Sequence, residues 1–577
     1  MNGWTGRRLR VDLSSQKFWV EEIPRDNLER FIGGRGLNAK FFNENPPWSV
    51  SVFSPESPVA FSVAPLSGTL APCSGWTSIS AYSPLFYPPR YVHVSMPGHW
   101  GPYLKFAGFD QLILSGKAEN PIYIAIEDKR VRFEDARLLW GKDVLETTVS
   151  IQEQKEGRNG EVLCIGPAGE NLVRFANVTN RLSWTGDHVG LGFIFGSKNL
   201  KALVVRGRKP VTLSQPDRFL QLCNFLRESI QRNRNASLLR EEGPFFFLGS
   251  NGGGLGIKNY TETSDQSQEE RWRIEFLEKY LYGREGCFSC PIHCGRVSLV
   301  NENYFGGVHF ESTWSLGPRI GIFDMESTLR LVRFCQLQGL DPSSFGSLVS
   351  WLMDCCDQGI LSTRDIGVSC QWGDEETTVR LIEWIAAGKE ASEIFRHGCL
   401  MAAKTLGKGL ELVPHSCGSD LPARDPRSST EYALTRALFP DEWDYLQSSI
   451  ERHPVASSGR NGFFENVSLQ ENLKILADIN SMCPLVVGRL QLVSDSDVAQ
   501  LLSAATGIAQ DSQKIEAAIC RAVQIERTLV GKAEGQKGDP LPLRFFRNPL
   551  EKSSFEEQIK GYHVRMESEG PSKQGGF

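Results

Sequence analysis

The segment Arg284-Glu-Gly-Cys287-Phe-Ser-Cys290-Pro-Ile-His-Cys294-Gly-Arg296 constrains this chain more than any other, because its C-x2-C-x3-C spacing bends three thiols around one centre. A proline follows the second cysteine. A Cys-Pro step is a feature of ferredoxin-type runs, in which four thiolates hold a [4Fe–4S] cluster. A fourth sulfur must then come from elsewhere. Cys483, in Asp478-Ile-Asn-Ser-Met-Cys483-Pro484, is the best candidate because it too precedes a proline. It lies 189 residues beyond Cys294, so a shared cluster would staple two halves of the protein. Other readings stay open. Three cysteines and His293 are a legitimate zinc set, although ligands at adjacent positions wrap a tetrahedral ion poorly. Buried free thiols are seldom spaced so tightly. A disulfide framework needs an oxidising compartment, which nothing in the sequence suggests.

A chain of 577 residues is expected to hold about three or four domains, with ample material for a large core. Its net charge of −5 argues against a general nucleic-acid binder. The opening Met1-Asn-Gly-Trp-Thr-Gly-Arg-Arg8 lacks the apolar stretch of a secretory signal. No uninterrupted apolar run is long enough for a membrane span. Fourteen cysteines without a signal point to a reducing cytoplasm, with metal ligation for a few of them. The other ten, Cys73 among them, are expected to pack as small apolar side chains.

Residues 1–211 read as a β-rich domain. Leu9–Leu13 and Phe18–Ile23 suggest a hairpin, and strand-like runs recur at 111–115, 122–126, 131–133, 161–165 and 202–206. A helix over 28–42 is interrupted by Gly33-Gly34-Arg35-Gly36, which is either an anion-binding loop or a turn. From Pro216 the period changes to that of helices. These are expected near 327–338, 346–357, 375–388, 391–405, 498–507 and 514–530, the last good one, with a loose tail from about 561. The glycine run 249–256 lacks the Gly-Lys-Ser/Thr of a P-loop. The expected class is therefore α+β. An N-terminal β-rich, cofactor-cupping domain (1–211) precedes two mainly helical domains, 212–420 with the cysteine run and 421–577 with Cys483.

In this order of elements the chain resembles the aldehyde ferredoxin oxidoreductase family, whose members bind a tungsten or molybdenum bis-pterin and a [4Fe–4S] cluster. The likeness runs from the N-terminus to about residue 550. It includes Gly6-Arg-Arg-Leu-Arg-Val-Asp-Leu-Ser14, Gly33-Gly-Arg-Gly-Leu37, Leu104-Lys-Phe-Ala-Gly-Phe-Asp110, Ile165-Gly-Pro-Ala-Gly-Glu-Asn-Leu-Val173, Gly196-Ser-Lys-Asn-Leu-Lys-Ala202 and Phe310-Glu-Ser312, besides the cysteine run. The resemblance implies that Cys287, Cys290, Cys294 and Cys483 are the cluster ligands. It implies that two D-x-x-G-L-(C/D) motifs grip the pterins through acceptor-only carboxylates. One keeps Asp478 and Cys483. The other keeps Gly339, Leu340 and Asp341 but has Gln336 in place of its aspartate. Glu311 matches a glutamate close to the metal, a proton acceptor for oxidation of a hydrated aldehyde; its alternative role is a salt-bridged structural acid.

The departures fall around the pterin. Trp76 stands for an arginine expected between cluster and pterin, His188 for a second arginine, and Ser95 for an asparagine near the pterin phosphates. Arginine to tryptophan removes a permanent charge and a fork of donors. An expected histidine is replaced by Tyr445, which with His309 is a weaker catalytic candidate than Glu311. The resemblance thus implies an enzyme that oxidises an aldehyde, or reduces an acid or thioester, at the bis-pterin. Electrons would pass to ferredoxin or an iron–sulfur partner subunit, in a homodimer or larger complex. The rival is a diverged, pterin-less member serving as an electron-transfer or scaffold subunit. The two differ in whether Trp76, His188 and Gln336 line a pterin-sized cavity or fill it.

Overall fold

The computed structural model describes residues 1–577 apart from 46–50, 52, 87–88, 129, 155–159, 187, 250–252, 390–391, 440–459, 534–540, 548 and 570–577. The architecture is α+β, a sheet-rich N-terminal domain followed by helical regions.

Twelve strands build the N-terminal part: β1 (Arg7–Asp12), β2 (Lys17–Glu22), β3 (Val59–Ser62), β4 (Thr77–Ser83), β5 (Arg90–Met96), β6 (Gln111–Ser115), β7 (Ile122–Glu127), β8 (Arg130–Asp135), β9 (Glu161–Cys164), β10 (Thr179–Asn180), β11 (Trp184–Thr185) and β12 (Leu200–Arg206). They form two six-stranded sheets, β2-β1-β6-β3-β4-β5 and β11-β10-β9-β12-β7-β8. The expected hairpin is present, with Arg7 opposite Glu22. Each sheet has one parallel pair, β1–β6 and β7–β12. Strands β3 and β4 are buried along their whole length, as strands covered on both faces must be. This places β4 and β5 deep in the molecule, where their ends can reach the site.

The glycine run after Phe31 serves close packing. Gly34 takes a φ of 44°, and a Cβ there would lie 2.0 Å from the carbonyl oxygen of Asp478. Only glycine fits so near to another backbone. The next residue, Arg35, is therefore delivered to Asp478 and Glu526, bonding the first at 3.1 Å and the second at 2.9 Å.

The helix Pro216–Arg232 begins with proline at its first turn and buries Phe219, Cys223, Leu226 and Ile230 along one face, the stripe its period predicts. Helices Met325–Leu337, Pro342–Asp357, Glu375–Ala387, Asp495–Thr506 and Ser512–Ala533 follow the expected pattern. The one expected at 391–405 is split into Ser392–Phe395 and Cys399–Leu406 by Gly398, whose φ of 84° cannot continue a helix.

The middle region is less purely helical than its period suggests. Residues 253–305 contain five strands, and the cysteine run links Leu281–Glu285 to Gly295–Val300 in a three-stranded sheet. The chain end also departs from expectation. The helix Ser512–Ala533 is not the last, because Pro549–Glu569 continues helical past the tail expected from 561. Phe555 anchors it against Tyr260 and Leu421.

Two large cores matter for function. One joins both N-terminal sheets to the segments from 316 to 413. The other brings Ile32, Ala71, Cys73 and Trp76 against the helix Pro216–Arg232 and the C-terminal helices, with Cys290 and Cys294 packed on it.

Candidate metal centre and active site

The loop between the strands Leu281–Glu285 and Gly295–Val300 is too short to wander, and its backbone alternates in hand. Ser289 and His293 take φ of 57° and 55°. Such a path turns successive amides toward a common concavity, a form that suits anions and iron–sulfur sites. The amides of Ile292 and His293 donate to the Cys290 sulfur, and those of Leu485 and Val486 to the Cys483 sulfur. Cys483 reaches the site because Pro484 opens the π-helical turn Leu485–Arg489 immediately after it. The β domain clamps the loop from above. The Phe288 amide donates to Gly98 O at 3.0 Å, and Gly75 sits so close that a Cβ would meet Phe288 N at 2.8 Å.

Cys287, Cys290, Cys294 and Cys483 line one cavity, and Cys73 joins them. The Cys73 thiol donates to Cys290 Sγ at 3.8 Å. Among the described residues no three His, Cys, Asp or Glu groups are placed to hold a single metal ion. His293 does not face the cavity, so the zinc set of three cysteines and His293 does not assemble. The hydrogen bond to Cys290, then burial, pushes the Cys73 thiol well above its usual range. The same bond brings Cys290 down to about 7, against burial. Burial raises Cys287, Cys483 and Cys294, the last to about 12. Loading soft metal onto these thiols must therefore release protons.

The empty space of the cavity, its open mouth included, is about 1640 Å³. Trp76, His188 and Gln336 line it, as do Ser95, Leu340 and Asp341. Glu311, on the short helix Phe310–Ser315, lines the same cavity as the thiols. Its Oε1 accepts from the Ala423 amide at 2.7 Å, Ser343 Oγ at 3.1 Å and Ser315 Oγ at 3.3 Å. His309 Nδ1 accepts from the Glu311 amide at 3.1 Å, so a neutral His309 ring carries its proton on Nε2. Asp341 is an N-cap, its Oδ1 accepting from Ser344 N at 2.8 Å. Its Oδ2 meets His188 Nδ1 at 3.0 Å. Burial, then the nearby Arg436, His309 and Arg319, holds His188 well below 6.5. The imidazole is thus neutral, and it is the His188 backbone amide that donates to Asp341 Oδ2, at 3.3 Å.

Two family models match nearly end to end, aldehyde ferredoxin oxidoreductase N-terminal domain over residues 8–207 and domains 2 and 3 over residues 223–568. The chain belongs to the aldehyde ferredoxin oxidoreductase family. It is 30% identical to the tungsten-containing aldehyde ferredoxin oxidoreductase of Pyrococcus horikoshii, over 98% of this chain and 95% of that protein. The Pyrococcus furiosus protein of the same name matches at 30% over 98% of this chain and 94% of its own. The aliphatic sulfonate oxidoreductase WOR-like subunit of Pyrococcus furiosus is 27% identical over 75% and 73% of the two chains. Membership makes this chain an oxidoreductase. Its fold is shared with a chain of the active-site complex BamBC of benzoyl coenzyme A reductase in complex with 1,5-dienoyl-CoA (TM-score 0.83, 21% identity, covering 98% and 95%).

Within this aldehyde ferredoxin oxidoreductase fold, not every residue expected at the pterin faces the cavity. Asp478 is withdrawn behind it. Its carboxylate accepts from Arg35 at 3.1 Å, Lys474 at 2.5 Å and Ser95 Oγ at 2.6 Å. Burial pushes this carboxyl up, but Lys474, His93 and Arg35 outweigh it and hold it well below 3.8. With Glu526 the network balances two cations against two carboxylates; breaking such a buried pair costs roughly 3–5 kcal/mol. Lys474, His93 and Ser95 face the cavity in its stead. Gly339 is likewise structural, with φ 73° and its carbonyl accepting from Asn177 N at 2.8 Å. Gln336 donates to Gly307 O at 3.1 Å. Tyr445 lies outside the described residues.

Sequence reasoning missed Cys73, His93 and Lys474. Cys73 was signalled only by its place in Ala71-Pro-Cys-Ser-Gly-Trp76, a stretch already notable for its tryptophan. His93 carries a pH prediction. Burial pushes its imidazole down to about 4 from 6.5, with Asp478 opposing. As pH falls below 6.5 the unfolded chain takes up a proton that the folded protein refuses until about 4. Stability is therefore lost through that window, by up to about 3 kcal/mol at about 1.4 per unit. Thermal melts between pH 7 and pH 4 are expected to fall more steeply for the wild type than for His93→Gln. Parallel curves would count against this assignment.

Proposed function

We propose that this oxidoreductase oxidises an aldehyde, or in reverse reduces an acid or thioester, and passes the electrons to ferredoxin or an iron–sulfur partner subunit. The observation that carries the reading is that four cysteine thiols and Glu311 line the same cavity. Four soft thiolates with donated amides are the donor set of a [4Fe–4S] cluster, which Cys287, Cys290, Cys294 and Cys483 would hold. The names of the Pyrococcus relatives specify tungsten, and a bis-pterin would be held beside the thiols by the residues that line this cavity. Such a cofactor supplies two-electron redox chemistry with oxygen from water.

The chain's own groups do the rest. Glu311 accepts the proton released when a hydrated aldehyde is oxidised, and returns it in reverse. Its bond from the Ala423 amide holds one carboxylate oxygen still, which fixes the side chain's direction. The His188–Asp341 pair offers a neutral, oriented imidazole on the same wall. Three aromatic or apolar neighbours, Trp76, Trp184 and Leu340, keep that wall low in polarity, which strengthens each polar contact. All fourteen cysteines are free thiols, and among the described residues no helix is long and apolar enough to cross a membrane.

One observation favours the rival electron-transfer or scaffold subunit: Asp478, expected on the pterin, is consumed by Arg35, Lys474 and Ser95. Elemental analysis with EPR separates the two. The enzyme reading expects about four iron atoms together with tungsten or molybdenum in each chain. Iron at that level with neither heavy metal would sink it and leave the rival.

A further inference from the structure

The loop that carries Trp76 brings a fifth thiol to the cysteine site. Cys73 is fully buried, lines the same cavity as the four presumptive ligands, and lies with Sγ 3.8 Å from Cys290 Sγ. Its backbone is already committed. The Cys73 amide donates to Ser289 O at 3.0 Å, and its carbonyl accepts from the Cys483 amide at 2.9 Å. These bonds stitch the β-domain loop to both ligand segments and would survive any small side chain. They leave the thiol itself unexplained. What a thiol adds is a proton: S–H is a weak donor, and here it points at a ligand sulfur.

We propose that Cys73 is a positioning residue of the iron–sulfur centre: its S–H donates to the Cys290 thiolate and raises the reduction potential of the cluster. This rests on the cluster assignment above. The Cys73 backbone, bonded to Ser289 and to Cys483, holds its side chain against Cys290 Sγ, where it acts as donor rather than ligand. Reduction adds negative charge to the cluster and its sulfurs. A donor therefore stabilises the reduced state more than the oxidised one, and hydrogen bonds to sulfur are among the levers that set such potentials. The step moves one electron and no atom.

The test is an EPR-monitored redox titration of the full-length holoprotein as wild type, Cys73→Ala and Cys73→Ser. Cys73→Ala is expected to hold a full cluster and to shift the one-electron equilibrium about tenfold toward the oxidised state, about 59 mV more negative. Cys73→Ser keeps a donor and is expected near the wild-type midpoint. An unmoved midpoint in Cys73→Ala overturns the proposal. So does a serine variant shifted as far as alanine, since packing rather than a proton would then be the cause. Failure of both variants to take up a cluster also overturns it, by making the side chain structural. Wild-type protein with no cluster overturns the cluster assignment as well, whereas a full cluster with an unmoved midpoint overturns this proposal alone.

Discussion

Cys287→Ser and Cys483→Ser are each expected to abolish the [4Fe–4S] EPR signal of the purified protein, taking iron from about four atoms per chain to almost none. A serine hydroxyl is a hard, weakly acidic donor where a soft thiolate is needed, and its substitution leaves one iron without its sulfur ligand. The two variants probe different halves of the site. Cys287 sits in the loop between two strands, and Cys483 arrives from the C-terminal helices. If both lose iron, the staple across 189 residues is real. Cys520→Ser, which removes a thiol from the helix Ser512–Ala533, is the control expected to keep its iron. Full clusters in both ligand variants would refute the assignment.

Glu311→Gln is expected to lower kcat by about 10²–10⁴, the usual span for loss of general acid–base help, with little change in KM or melting temperature. The reasoning lies in the hydrogen bonds. A glutamine oxygen can take the place of Oε1 and accept from the Ala423 amide, Ser343 and Ser315 as the carboxylate does. Shape and local packing are retained and only the capacity to hold a proton is lost. The alternative role, a structural acid, makes the opposite forecast: kcat near wild type and a lower melting temperature. Steady-state kinetics on an aldehyde with a low-potential electron acceptor, paired with a melt, distinguish them.

The two sites differ in how far they could be foreseen. The cysteine trio was legible because its geometry is local: eight residues with Pro291 and two left-handed turns decide where three sulfurs go. The period-2 and period-3.6 patterns were equally local, and most strands and helices appear where they point. The split at Gly398 and the strands between 253 and 305 were less visible, since short elements bury too few residues to imprint a period.

Around the pterin-type cavity, matching residue to residue was less reliable. Asp478 occupies the expected place in the chain, yet it is turned into a buried charge network by Arg35 and Lys474. Those two cations come from positions 443 and 4 residues away; the i,i+4 spacing of Lys474 is visible in the sequence, but the approach of Arg35 is not. Trp76, by contrast, reads in the sequence as damage to the site, and in the fold it is simply part of the wall.

The sequence by itself determined that this is a member of a redox family, that three cysteines are gathered at one short loop, and that sheets precede helices. It did so because motif spacing and hydrophobic period are properties of neighbours along the chain. Only the tertiary structure decided which carboxylate faces the cavity, which is consumed behind it, and that Cys73 stands against Cys290. Those outcomes depend on which side chains from distant segments reach a carboxylate or a sulfur first, and burial makes each such pairing exclusive.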